Sequence, residues 1–100
     1  MYLNEADQYQ RRPLHLQILQ YLQENKVADA IVFHGVAGFI GLSRVKTSSL
    51  VDAGGKLPLL LTFVDEEDHI ETLLPKLKDM VGPRRMVREN VTTIAGTPRG

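Results

Sequence analysis

The chain contains no cysteine, which excludes both disulfide crosslinks and thiolate metal sites as supports for a small fold. It has no apolar run near the roughly 20 residues that a membrane-spanning helix needs, so membrane insertion is not expected. It also has no net charge, because twelve Lys and Arg stand against twelve Asp and Glu. No overall field therefore favours nucleic acid or an anionic lipid surface. The opening residues Met1-Tyr2-Leu3-Asn4-Glu5 have neither the basic segment nor the apolar stretch of a secretion signal. These absences together lead to the expectation of a cytoplasmic protein.

Patterns that carry catalysis are equally sparse. His15, His34 and His69 have no second ligand type at metal spacing, and no His-Glu-x-x-His pair exists. Ser43, Ser48 and Ser49 lack a nucleophile elbow or an ordered base partner. The acidic run Asp65, Glu66, Glu67, Asp68 and Glu71 is explained by the preference of carboxylates for the positive end of a helix. The expectation is a binding protein, not an enzyme, with no required cofactor.

The chain has 100 residues, 43% of them apolar and 24% charged, which fits one globular domain. Residues 1–94 are expected to form it, with 95–100 as a frayed tail. A domain this small buries only about 60–70% of its unfolded surface, so its core is thin and oligomerisation is a natural way to complete it.

Leu3 suggests a very short or truncated first strand, followed by a polar loop from Asn4 to Arg12. Pro13 suits a first helical position, and Leu14, Ile18, Tyr21 and Leu22 recur at helical spacing, predicting a helix over 13–25. Ala30 to His34, short, apolar and β-branched, and Leu59 to Val64, nearly continuously apolar after Pro58, read as strands. Asp65 is placed to cap a second helix whose apolar face is Ile70, Leu73, Leu74, Leu77, Met80 and Val81. Pro75 should kink that helix or divide it into two abutting segments. Gly82-Pro83 ends it, and Met86 to Ile94 makes a last strand. The order is strand, helix, strand, strand, helix, strand, an α+β ferredoxin-like βαββαβ arrangement with both helices on one face of an antiparallel sheet. The other face, with Leu60 and Phe63, is left as a candidate subunit interface.

Two segments stand out as candidate binding elements. The connection from Gly35 to Leu57 is far longer than two neighbouring strands need, and such loops are usually functional or disordered. Its Gly35, Gly38 and Gly41 permit close backbone approach to an anion, and Arg44 and Lys46 add charge. It resembles a phosphate-binding loop only loosely, because no glycine precedes the lysine. The second segment is Arg84, Arg85 and Arg88, three cations in five residues, suited to a nucleotide phosphate or an acidic partner.

The stretches Asn4-Glu5-Ala6-Asp7-Gln8-Tyr9, Arg12-Pro13-Leu14, Ala28-Asp29-Ala30, His34-Gly35-Val36-Ala37-Gly38-Phe39, Leu57-Pro58, Val64-Asp65, Leu73-Leu74-Pro75 and Met80-Val81 together resemble the PII-like proteins of the domain of unknown function 190 family. The resemblance implies a ferredoxin-like subunit whose first strand is central in the sheet, a homotrimer, and effector clefts between subunits. It implies a partner-facing loop at 35–57 and a nucleotide-lining turn at 82–88. An adenine nucleotide is the implied effector, and a membrane transport protein the implied partner. The ligand-binding residues expected on these grounds are Gly35, Gly38, Gly41, Lys46, Arg84, Arg85 and Arg88. The competing expectation is an interaction subunit whose loop docks on a partner without any small ligand.

Overall fold

The structure, a computed structural model, describes residues 1–35, 37–38, 46–47 and 57–95. The elements are β1 (Tyr2–Asn4), β2 (Gln8–Tyr9), β3 (Arg12–Pro13), α1 (Leu14–Glu24), β4 (Ala30–His34), β5 (Ala37–Gly38), β6 (Lys46–Thr47), β7 (Pro58–Phe63) and α2 (Glu67–Val81). The fold is α+β. Its principal sheet has the order β1-β7-β4, with β7 antiparallel to both neighbours. Leu3, Leu59 and Leu61 point from that sheet into one buried cluster with Leu14, Ile18 and Leu22 of α1 and Leu73, Leu77, Met80 and Val81 of α2. Each of these side chains contributes about 1.5–3 kcal/mol by leaving water. The alternation of strands then turns Tyr2, Ile31 and Phe33 outward, where each is exposed. Across the strands Leu60 faces Tyr2 on one side and Phe33 on the other, giving the open face an apolar row. Phe63, expected beside Leu60, instead packs against the core, because it is three positions along the strand and so on the opposite face.

The end of α1 is closed by a Schellman motif. Val27 N–H reaches the Leu22 carbonyl at 3.0 Å and Lys26 N–H the Gln23 carbonyl at 3.1 Å, while Val27 itself is buried. The motif needs a left-handed residue, and here Lys26 takes it at φ 64°. Glycine adopts that conformation without a Cβ clash, so Lys26→Gly is expected to raise stability by about 0.5–1 kcal/mol in urea unfolding. A stability loss would show that the lysine stem contributes packing there. At the end of α2 a glycine does occupy the turn, Gly82 at φ 62°.

Several expectations are corrected. Residues 4–12 are not simply a loop: Gln8–Tyr9 and Arg12–Pro13 pair as a hairpin, turning through Gln10 and Arg11 at φ 53° and 66°. Pro13 precedes the helix as its N-cap instead of opening its first turn. Pro75 does not divide α2, which runs unbroken from Glu67 to Val81, because the buried residues on both sides of it share one face. Asp65 does not cap α2. The cap position is Glu66 without a side-chain bond, and the Asp65 carboxylate instead contacts His69 Nδ1 and accepts from the Glu66 N–H. Met86 to Ile94 is not a strand. β1 offers an edge only three residues long, and the chain meets it at one point, where Tyr2 N–H donates to the Arg85 carbonyl at 3.0 Å. With no strand beyond it, β1 lies at the sheet's edge and β7 in its centre.

Candidate functional site

The two candidate segments are anchored to the main sheet. The long connection starts at Gly35, whose N–H donates to the Pro58 carbonyl at 2.9 Å, and it returns at Leu57, whose carbonyl accepts from Glu5 N–H at 3.0 Å. Inside it, Ala37–Gly38 pairs antiparallel with Lys46–Thr47. The base of the connection is therefore tied to both ends of neighbouring chain segments by backbone bonds. Gly41 lies outside the described residues, and Gly38 and Lys46 are placed only as facing backbone positions in that short ladder.

The turn after α2 is fixed by its first arginine. Arg84 Nε donates to Asp7 Oδ2 at 2.8 Å and its Nη1 to the Val81 carbonyl at 3.0 Å. The same Asp7 oxygen accepts from Asn4 N–H at 2.8 Å, so one partly buried carboxylate joins the end of β1 to the turn. Asn4 is opposite Pro58 in the sheet, and Pro58 holds Gly35. Arg84 and Gly35 thus lie at the same end of the sheet, on opposite sides of β7. Two strand spacings separate those edges, roughly 10 Å.

Arg88 is placed elsewhere. Its Nη1 donates to Glu71 Oε1 on α2 at 2.7 Å, and this bond holds its pKa above the ordinary value. Arg85 is exposed and its side chain forms no ion pair with the described residues. The three arginines do not converge within one chain. Two already meet a carboxylate of their own subunit.

A cleft of about 960 Å³ opens at the other end of the sheet, between the end of β7, the start of α2 and residues 86–93. Phe63, Ile70, Leu74 and Met86 form its apolar floor, and Asp65, Glu66, Glu67 and Glu89 bring carboxylates to it. Arg88 is its only basic side chain among the described residues. Met1 also lines it; its amine donates to the Leu61 carbonyl at 2.7 Å, and burial lowers its pKa. Sequence reasoning missed this cleft because it treated 86–94 as a strand within the sheet.

The Tyr9 hydroxyl donates to Asp79 Oδ2 at 2.8 Å and accepts from Lys76 Nζ at 3.2 Å. That bond raises the Lys76 pKa, and the pair clamps the β2–β3 hairpin on α2. Of the histidines, His69 is engaged by Asp65, His34 ends β4, and His15 Nδ1 is buried without a hydrogen-bond partner among the described residues. Among the described residues no group of three or more His, Asp or Glu could hold a metal ion, and no helix is long and apolar enough to cross a membrane.

A family model, DUF190, described as "Uncharacterized ACR", matches residues 1–93. The chain is 27% identical over 81 residues to the UPF0166 protein MJ1524 of Methanocaldococcus jannaschii, covering 81% of this chain and 74% of that one. It is 23% identical over 78 residues to a UPF0166 protein of Aquifex aeolicus, covering 78% and 74% respectively.

Proposed function

The chain belongs to the DUF190 family, and on that premise we propose that it is a PII-like regulatory binding protein. On this reading the subunit is ferredoxin-like and assembles as a homotrimer, with the apolar row Tyr2, Leu60 and Phe33 on its open face as the contact. A nucleotide or similar small anion sits between subunits. Gly35, Gly38 and Gly41 offer backbone approach, Lys46 and Arg85 offer charge, and Arg84 positions the turn, with Arg88 held apart by Glu71. Ligand binding shifts the 35–57 connection between two populations, one of which engages a partner such as a membrane transport protein. The chain binds and does not catalyse.

The observation that carries this reading is the tethering of the connection. Its base at Gly35 and Leu57 is bonded to the same sheet end that Asp7 joins to the arginine turn. A ligand that loads the turn would act on the base of the loop through rigid elements. The competing reading, an interaction subunit with no small ligand, draws support from Arg84 and Arg88 being paired within the chain.

Calorimetric titration of the native oligomer with ATP, ADP and AMP separates the two. Saturable binding is expected for at least one nucleotide, and Arg85→Ala should weaken it about tenfold, the loss of one charged hydrogen bond. Absence of heat across the series, with the partner still captured, would favour the interaction subunit.

A further inference from the structure

We propose that the cleft between the start of α2 and residues 86–93 is a docking groove for a partner strand that alternates basic and apolar side chains. Three observations define that occupant. The first is the wall. Val64 is 47% and Val91 59% exposed, and both line the cleft together with Phe63 and Leu74. Apolar side chains of a partner would remove this surface from water.

The second is the charge. Glu66, Glu67 and Glu89 are exposed on the cleft lining, and the single guanidinium there, Arg88, is held by Glu71. Even with the Met1 amine turned to the Leu61 carbonyl, the carboxylates outnumber the cations here, so an anion would be repelled, whereas lysine or arginine would find complementary partners. The groove is thus separate in chemistry from the anion site proposed above, and it stands whether or not a nucleotide binds.

The third is the backbone. Residues 86–93 form no backbone–backbone hydrogen bond among the described residues. Residues 87–93 are exposed, and their N–H and C=O groups have no backbone partner among the described residues. A strand laid beside them would satisfy those groups, as in β-augmentation, where main-chain bonds give affinity and alternate side-chain positions give specificity. A helical partner would leave the wall unsatisfied.

The test uses the full chain and a short, end-capped, fluorescein-labelled peptide of alternating lysine and valine, followed by anisotropy. Saturable binding is expected, and a glutamate–valine counterpart should not bind. The combined Glu66→Gln, Glu67→Gln and Glu89→Gln variant should lose about tenfold or more in affinity. Its thermal unfolding should fall only slightly, since Glu66 makes no capping bond and Asp68 keeps a carboxylate in the first turn of α2. N-methylating alternate peptide amides should abolish binding, because it removes the strand donors.

Undiminished affinity in the glutamine variant, or equal binding of the acidic peptide, would overturn the proposal. So would retention of the N-methylated peptide, since that would exclude strand pairing. Self-association of the chain that the glutamine variant abolishes would assign the groove to a second copy and overturn the partner reading.

Discussion

Leu61→Ala is expected to lower the unfolding free energy by about 3–5 kcal/mol, the upper range for a buried leucine in a site that cannot collapse. Leu61 is fully buried and sits on the central strand, opposite Val32 on one side. On the other side its backbone bonds Met1 in both directions. Hydrogen bonds on both edges of β7 keep the strand from moving into the space, so the cavity persists. A domain of this size is stable by about 5–15 kcal/mol in total, and the variant should therefore unfold at a much lower denaturant concentration. Leu16→Ala is the control. Leu16 is 52% exposed on α1, and its loss should stay within about 0.5 kcal/mol. A Leu61→Ala cost below about 1 kcal/mol would mean that β7 is not packed between the helices and both neighbouring strands.

Where hydrophobic period decided the structure, the sequence could be read almost to the residue. Leu14, Ile18 and Leu22 predicted the buried face of α1, and Leu73, Leu77, Met80 and Val81 that of α2. The two apolar runs became β4 and β7, displaced by a residue at most. Reading failed where tertiary pairing decides. The hairpin turn at Gln10-Arg11 uses two positive-φ residues with none of the Asn-Gly or Asp-Gly chemistry that announces such a turn. Its support comes from Tyr9, Lys76 and Asp79, some 70 residues apart in the chain.

Val87, Val91 and Ile94 have the residue types of a strand, but a strand exists only if an edge accepts it. β1 is too short to do so, and those three side chains are exposed. The candidate site was legible in part for the same reason. Arg84, Arg85 and Arg88 are visible as a cluster in sequence. Only the fold reveals that Asp7 takes the first and Glu71 the third, leaving Arg85 as the one of the three without an ion pair among the described residues. The three acids Glu66, Glu67 and Glu89 could not be grouped without knowing that residues 86–93 pass the start of α2.

Asp7→Ala is expected to cost about 2 kcal/mol, because the Asp7 carboxylate joins the end of β1 to the turn after α2 through two charge-assisted bonds. Its carboxylate holds Arg84 and the Asn4 N–H, while its backbone carbonyl, which accepts from Leu14 N–H at 2.9 Å at the start of α1, is kept in the variant. Truncation leaves the Asn4 N–H without its acceptor and Arg84 with only the Val81 carbonyl. Asp7→Asn keeps a neutral acceptor and should recover about half of the loss. The Arg84 and Asp7 side chains are 30% and 20% exposed, so solvent screening moderates the pair itself. A double-mutant cycle with Arg84→Ala should therefore return a coupling of about 1 kcal/mol, and the remainder belongs to the Asn4 N–H.

The Asp7 variant also tests how the turn relates to function. If Asp7 only stabilises β1, nucleotide affinity should stay unchanged under conditions where the variant is folded. If it positions the turn, affinity should fall along with it, and Asp7→Asn should restore stability more than binding, since the neutral amide holds Asn4 but grips the guanidinium weakly. Affinity unchanged in both variants would place the role of Asp7 in folding alone. Coupling near zero would show that Arg84 is held by the Val81 carbonyl and not by the carboxylate.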